Sequence, residues 1–253
     1  MNKYASAIFA VSTLVLGAAA SQAATLTVTN VSGVWSDWTG GVKQSSTMNG
    51  DVAELRWGTP GYTKQQSGYD FAPVPTSGPH QKDQTFTLGT FTHNNFVIDK
   101  GISSATLDVT FSFYLGTDSS NIYTRSSQFV FEHWETPNVP ESGICVDGKE
   151  SKPNGVQVGC EDRVTPITNP RKSESFTITE DGVTRTYLFD VTGFNIGENF
   201  WTVENQKNSA QLQARFTYEE NVPLPPVPLP AAGWLLLAGV AGMGAVARRR
   251  RKA

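Results

Sequence analysis

Three residues of this chain carry side chains that could together bind a metal ion. His133 and Glu135 stand two positions apart in a stretch of alternating polarity, which places both on one face of a strand. His93 follows another such stretch, and two imidazoles with one carboxylate suit many divalent metals if the two strands are neighbours. The alternative is that each imidazole hydrogen-bonds a turn beside Asn94 or Asn138. The sequence favours this alternative, because nothing in the pattern makes the strands adjacent.

Sequence motifs of hydrolytic enzymes are absent. The chain contains neither Gly-x-Ser-x-Gly nor His-Glu-x-x-His. Pairs of acidic residues are numerous, but an acidic domain always offers such pairs, so they do not indicate glycoside hydrolysis. We therefore predict no catalytic residue. A metal-dependent enzyme using His93, His133 and Glu135 remains an alternative.

Aromatic side chains are the other candidates for ligand contact. Trp35 and Trp38 lie in the stretch Trp35–Gly41, which is rich in Gly, Ser and Thr and predicts a loop. Exposed aromatic rings beside polar side chains suit stacking on sugars. The competing interpretation, packing in the core or against loops, is favoured because large aromatic residues dominate protein cores. The aromatic candidates considered are Trp35, Trp38, Trp57, Tyr62, Tyr69, Trp134 and Trp201.

The secondary structure that must position these residues is predicted to be all β. Short alternating runs are separated by Gly, Pro, Asn and Asp, which indicates one antiparallel β-sandwich of jelly-roll type over residues 24–221. A structural calcium ion among the Asp and Asn residues of its loops is a further hypothesis, without EF-hand spacing to support it. The predicted strands are 25–31, 52–57, 84–92, 105–115, 128–134, 174–179, 184–191 and 210–218, with a turn at 180–182.

The charge of the chain is unevenly distributed. Of the 20 Lys and Arg residues, one lies near the N-terminus and five lie at the C-terminus, while all 23 acidic residues lie between them. The region between the two ends therefore carries a net charge of about −9. This charge excludes nucleic acid and anionic lipid headgroups as favoured partners.

The N-terminus predicts a secretory signal peptide over residues 1–23. Lys3 supplies a positive charge, Ala5–Ala20 is apolar, and Ser21-Gln22-Ala23 places small residues before a cleavage site between Ala23 and Ala24. Signal peptidase is then a partner, and the domain is exported. The two cysteines, Cys145 and Cys160, are expected to form a disulfide in an oxidising compartment, because a metal site would need further Cys or His ligands nearby.

The C-terminus predicts a membrane anchor. A Pro-rich stalk (222–231) precedes an uncharged apolar segment (232–247) and a basic tail (248–253). The apolar segment is roughly long enough to span the inner membrane as a helix, and the cluster Arg248, Arg249, Arg250, Arg251 and Lys252 would stay cytoplasmic.

Two resemblances extend this interpretation. The run Val227, Pro228, Leu229, Pro230 and Ala231, followed by the apolar segment and the arginines, resembles the VPLPA-CTERM sorting signal, a PEP-CTERM variant of Gram-negative bacteria. That resemblance implies processing near the motif by an exosortase-type enzyme, after transient anchoring in the inner membrane. The protein would then be released or attached to the surface.

The exported region resembles the choice-of-anchor K domain over roughly residues 52–218. The motifs that carry this resemblance are Trp57–Pro60, Ser67–Tyr69, Leu88–Asn95, His133 with Glu135–Asn138, the cysteine pair, Asp162–Val164, and Phe200 with Thr202, Glu204 and Asn205. The resemblance implies a surface-exposed bacterial domain and no catalytic residue. We expect a structural or adhesive component of the cell surface or extracellular matrix, with exopolysaccharide as a candidate partner. A dedicated carbohydrate-binding module is the first alternative.

Overall fold

The computed structural model describes residues 25–61, 63–156, 158–168, 173–180, 183–195 and 200–221. These residues form thirteen strands and one short 3-10 turn at Pro153–Gly155, so the all-β prediction is confirmed. The strands are β1 (Leu26–Gly40), β2 (Ser45–Asn49), β3 (Val52–Trp57), β4 (Ser67–Pro73), β5 (Ser77–His80), β6 (Thr85–Asn95), β7 (Ile102–Leu115), β8 (Tyr123–Trp134), β9 (Asp162–Thr168), β10 (Ser173–Glu180), β11 (Val183–Phe194), β12 (Phe200–Thr202) and β13 (Gln206–Asn221).

The chain divides into two compact units, residues 1–173 with 189–216, and residues 174–188 with 217–253. The larger unit contains two antiparallel sheets. One, here called the β8 sheet, has the strand order β12-β9-β8-β7-β1-β5. The other, the β6 sheet, has the order β11-β13-β6-β4-β3-β2 within this unit.

The core of the larger unit lies between its two sheets. Alternation along β7 buries Leu107, Val109, Phe111 and Phe113, the face that the sequence predicts. Rings from opposite sheets stack directly: the centroids of Phe91 on β6 and Phe131 on β8 are 4.6 Å apart. Because burial of such apolar surface drives folding, these contacts hold the two layers together. The prediction of a β-sandwich is confirmed.

The smaller unit contains most of β10 and the first part of β11, which are hydrogen-bonded neighbours. The hydroxyls of Thr179 and Thr184 are 3.0 Å apart across this pair. Nε of Arg185 donates to Oε1 of Glu220 at 2.9 Å. β10 ends at Glu180 and β11 begins at Val183, each one residue beyond the predicted bound, so Glu180 belongs to a strand rather than to the predicted turn. Residues 181–182 of that turn lie outside the described residues.

The loop predicted at Trp35–Gly41 is wrong. β1 continues to Gly40, because its backbone pairs with β7 from Leu26 onwards. Register shifts within this pairing accommodate the irregular composition of the segment. Trp35 is consequently a core residue, 2% exposed, and its Nε1 donates to the carbonyl of Ala53 at 3.1 Å. A ring in this position cannot stack on a sugar at the surface, so packing explains Trp35.

Cys145 and Cys160 form the expected disulfide, with their sulfur atoms 2.01 Å apart. The bond closes the long connection between β8 and β9. The predicted signal peptide, stalk, membrane helix and basic tail lie outside the described residues. Within the described part of the chain, a helix with the length and hydrophobicity needed to cross a membrane is not found.

Candidate functional site

Five titratable side chains meet between the two sheets of the larger unit. His93 belongs to β6, whereas His133 is near the end of β8, Glu135 follows that strand, and Asp162 begins β9. Glu204 lies in the connection after β12. The imidazole centroids of His93 and His133 are 5.2 Å apart and their rings are nearly perpendicular. We call these five residues the buried cluster.

The structure therefore brings His93, His133 and Glu135 together, although not in the way that the sequence hypothesis required. β6 and β8 are not neighbours in one sheet but belong to opposing sheets. The histidines meet because both side chains point into the space between the layers. Their hydrogen-bond partners are side chains of this interior rather than the turns beside Asn94 or Asn138.

Thr202 determines which nitrogen of His93 carries the proton. Its hydroxyl donates to the backbone carbonyl of Asp162 at 3.1 Å. The same oxygen lies 2.9 Å from Nδ1 of His93. Because the hydroxyl proton is already used, Nδ1–H must be the donor of this second bond. The lone pair of a neutral His93 is therefore on Nε2, which is buried and has no hydrogen-bond partner among the described residues.

His133 is held between Tyr69 and Glu135. Its Nδ1 is 2.7 Å from the Tyr69 hydroxyl, and its Nε2 is 3.3 Å from Oε2 of Glu135. Burial raises the pKa of Tyr69 well above its usual value, with the charges of Asp162 and Glu135 acting in the same direction, so the phenol keeps its proton. Burial lowers the pKa of His133, and burial with the neighbouring His133 lowers that of His93 much further. Burial thus disfavours the charged form of both imidazoles.

The three carboxyl groups are held in an environment that disfavours their charge. Burial raises the pKa of Glu135 to about 8, of Asp162 to about 7 and of Glu204 to about 9. Mutual repulsion adds to the rise for Asp162 and Glu204. Without a cation, this group therefore retains protons near neutral pH.

Several oxygens of these carboxyl groups are also unsatisfied. Oδ1 of Asp162 accepts the backbone N–H of Thr136 at 2.8 Å, but Oδ2 is buried without a hydrogen-bond partner in the described parts of the chain. The same holds for Oε1 of Glu135 and for both carboxyl oxygens of Glu204. The Asn95 amide and the Asn205 backbone lie near enough to Glu204 to oppose the rise of its pKa, without reaching hydrogen-bond geometry.

Two glycines leave room for the carboxyl side chains. A Cβ on Gly101 would lie 2.5 Å from Oε2 of Glu135, and a Cβ on Gly159 would lie 2.6 Å from Cγ of Glu204. Gly159 directly precedes Cys160, so the disulfide fixes the segment that packs against Glu204. The positions of both carboxylates therefore depend on side chains being absent at these glycines.

The donor atoms fall into two overlapping groups. One atom each from His93, His133 and Asp162 lie within 4.8 Å of one another, as do atoms from Glu135, Asp162 and Glu204. Asp162 belongs to both groups. Such spacing permits a small movement of side chains to close around one cation.

A surface groove lies on the outer side of the β8 sheet. It has a volume of about 270 Å³, adjoins the buried cluster at His133, and is otherwise lined by Ser103, Ser104, Glu132, Trp134, Arg163 and Thr165. Trp134 is 40% exposed, and the Arg163 guanidinium carbon lies 4.6 Å from its ring centroid. Trp38, the other sugar-stacking candidate from the sequence, is half-buried on β1.

Neither a protein-family model nor a curated protein matches the chain at a significant level. The choice-of-anchor K and VPLPA-CTERM resemblances therefore stay predictions.

Asp162 and Glu204 are the cluster members that reasoning from residue types and spacing missed. Both appear in the sequence only as parts of the domain resemblance. No local pattern relates Glu204 to His93, which lies more than a hundred residues earlier on the opposing sheet. The one local signal for Asp162 is its place two residues after Cys160, where a disulfide fixes the backbone.

Proposed function

We propose that the chain is an exported β-sandwich protein with a structural or adhesive role at the surface or in the extracellular matrix of a Gram-negative bacterium. The observation that carries this proposal is the Cys145–Cys160 disulfide. Structural disulfides persist in oxidising compartments and are rare in the bacterial cytosol. The predicted signal peptide, with cleavage between Ala23 and Ala24, supports the same compartment.

Sorting belongs to the same proposal. The sequence order of the motif Val227–Ala231, the apolar segment and the terminal arginines supports transient inner-membrane anchoring, followed by processing by an exosortase-type enzyme. The jelly-roll form of the sandwich is likewise proposed. Consecutive strands repeatedly change sheet: β1 and β5 lie in one sheet, and β2–β4 and β6 lie in the other, which supports that topology.

The burial of the polar cluster favours a structural role over the alternative of a metal-dependent enzyme. His93 is 0% exposed and His133 is 6% exposed. A catalytic metal keeps a coordination position open to substrate, whereas a structural site is closed by protein ligands. The buried cluster resembles a structural site of this closed kind, because its histidines are almost fully buried.

The intact mass of the mature protein tests export and sorting. The full chain is expressed in a Gram-negative host that carries an exosortase, and the protein is recovered from membrane, surface and medium fractions. We expect a mass that begins at Ala24, ends within Val227–Ala231 and is two hydrogens lower because of the disulfide. A mass that runs through to Ala253 in every fraction contradicts processing. A variant with Pro228→Ala and Pro230→Ala is the matched control and should accumulate in the membrane.

Glycan binding is the second candidate function, and the groove beside Trp134 favours it. The Trp134 ring and the planar Arg163 guanidinium provide surfaces on which a sugar ring can pack. Glu132, Ser104 and Thr165 lie beside them and offer donors and acceptors for sugar hydroxyls. Trp134→Ala should abolish binding on an exopolysaccharide microarray, while Trp38→Ala should leave it intact. If only Trp38→Ala abolished glycan binding, the sugar site would not be the groove beside Trp134. If the parent chain bound no glycan, glycan binding would be ruled out as a function.

A further inference from the structure

We infer that the buried cluster binds one divalent first-row transition metal ion, held by His93, His133 and Asp162 and completed by the carboxylates of Glu135 and Glu204. This inference is independent of the proposed surface role. It rests on the arrangement of donor atoms between the two sheets and on the groups that are left without partners there.

The first argument is the number of unsatisfied buried atoms in one place. Nε2 of His93, Oδ2 of Asp162 and both carboxyl oxygens of Glu204 are buried and lack hydrogen-bond partners among the residues that the structure describes. His93 and Asp162 are 0% exposed and Glu204 is 4% exposed. Folded proteins pair nearly all buried polar groups, so several unpaired groups within one cluster indicate a missing partner. A cation is the partner that lone pairs and carboxylates share.

The second argument is the orientation of the imidazoles. The Thr202 hydroxyl oxygen accepts a hydrogen bond from Nδ1–H of His93, which leaves the lone pair of Nε2 available. Residues around a metal fix a ligating histidine in this way. The Tyr69 hydroxyl lies 2.7 Å from Nδ1 of His133, so Nε2 of this ring faces Glu135. Metal binding at Nε2 of His133 would make Nδ1–H the donor to the Tyr69 oxygen. Both rings are thus held by their Nδ1 atoms.

The donor set decides the class of metal. Two imidazole nitrogens with carboxylate oxygens suit Zn²⁺, Mn²⁺, Fe²⁺ and related ions. Ca²⁺ prefers six to eight oxygen ligands, and Mg²⁺ keeps several waters, which a closed interior does not supply. The structural calcium ion considered from the sequence is therefore not the ion that this cluster fits. A dication would also offset two of the three negative charges that the ionised carboxylates carry.

Metal titration of the whole protein tests the inference. The full chain is exported to the periplasm of an expression host, purified, stripped with EDTA and then titrated with Zn²⁺ or Ca²⁺. We expect about one equivalent of Zn²⁺ by elemental analysis after desalting, and a midpoint of thermal unfolding that rises by about 5 °C or more, because an ion that binds only the folded state stabilises it. Ca²⁺ at the same concentration should produce neither effect. No Zn²⁺ response, or a response to Ca²⁺ alone, would overturn the assignment.

Amide variants separate ligand loss from misfolding. Glu204→Gln and Asp162→Asn keep the shape of the side chain but weaken its metal coordination. Because burial disfavours the charged forms of Asp162 and Glu204, these charges do not stabilise the metal-free protein. Without metal, the variants should therefore unfold at or above the temperature of the metal-free parent. With Zn²⁺, they should lose most of the rise in unfolding temperature that the parent shows. His80→Gln is the matched control, because His80 stacks on Phe86 outside the cluster, and should respond as the parent does. If Asp162→Asn fails to fold, Glu204→Gln alone tests the site. Full Zn²⁺ binding by Glu204→Gln would contradict the inferred metal site.

Discussion

The Thr202 hydroxyl lies 2.9 Å from Nδ1 of His93 and, by donating its own proton to a backbone carbonyl, leaves that histidine with its lone pair on Nε2. The contact joins β6 to β12 across the two sheets. Thr202 therefore determines which ring nitrogen carries the lone pair in a histidine more than a hundred positions away.

Removal of this hydroxyl should weaken metal binding without removing a ligand. Thr202→Val keeps the shape of the side chain but leaves Nδ1–H of His93 without an acceptor. We expect Zn²⁺ affinity to fall about 10- to 100-fold, the range for partners of ligating histidines, as measured by competition with a chromophoric chelator. The metal-free stability should fall by about 1 to 3 kcal/mol. Thr110→Val on β7 is the control, because it removes a hydroxyl that contacts Ser126 at 2.9 Å, away from the buried cluster. Equal affinities in the two variants would contradict the role of Thr202.

The metal-free protein should lose stability as the pH rises from about 6.5 to 9. The raised pKa values of Asp162, Glu135 and Glu204, about 7, 8 and 9, mean that the folded state holds protons that the unfolded chain has released. Raising the pH therefore favours unfolding, and this contribution is lost as the pH passes each folded pKa. The lowered pKa values of His93 and His133 act below pH 6.5, where their contribution is lost as the pH falls.

Urea unfolding in EDTA at several pH values measures this effect. The slope should not exceed about 1.4 kcal/mol per pH unit for each titrating group. Glu204→Gln should reduce the slope across most of this range, because Glu204, with a folded pKa of about 9, keeps its proton in the folded state up to that pH. An unfolding free energy that stays constant or increases from pH 6.5 to 9 would show that these carboxyl groups do not bind extra protons on folding.

The disulfide should stabilise both the fold and the cluster. Replacing Cys145 and Cys160 by Ser opens a loop with a sequence separation of 15. The chain-entropy model gives a loss of about 3 kcal/mol. Because Asp162 follows two residues after Cys160, we also expect weaker Zn²⁺ binding in the double variant. Calorimetry on the double variant checks both effects, with Val146→Ser in the same connection as the control, and unchanged Zn²⁺ affinity would separate the disulfide from the cluster.

The two tryptophans that sequence analysis placed in one group should behave differently. Trp35→Ala removes a buried ring that contacts Tyr69 and Phe131, and should cost about 3 to 5 kcal/mol. Trp134→Ala removes an exposed ring and its contact with Arg163, and should cost at most about 1 kcal/mol. Chemical denaturation of both variants measures the difference. Comparable losses would mean that Trp134 contributes to packing rather than to a surface groove.

Much of the fold could be predicted from alternation alone. The β7 segment shows a strict period of two, and its predicted bounds nearly match the observed strand. Strands without apolar alternation were missed, such as β2, whose five residues are all exposed, and the short β12. Backbone pairing with neighbours determines these strands, and such pairing leaves little trace in residue types. The Trp35–Gly41 region was misassigned for the same reason.

The site was only partly predictable. His133 and Glu135 are two positions apart at the end of β8, so their proximity follows from spacing. His93 meets them across the sandwich, and the choice of which strands face each other depends on the whole topology. Asp162 and Glu204 carry no local signal beyond the nearby cysteine. Sequence could therefore supply candidate ligands, but only the packing of the two sheets could bring them together.

The placement of His93 on one sheet and of His133 and Asp162 on the other has a consequence for how long the protein lasts. A metal ion held by all three ties the layers together at this end, so the sandwich cannot open there until the ion is lost. The ion would then slow unfolding itself, in addition to shifting the equilibrium. Proteases that cleave only opened chains act at the rate of that opening when cleavage is fast. Under the export that we propose, the ion would therefore set the working lifetime of the protein.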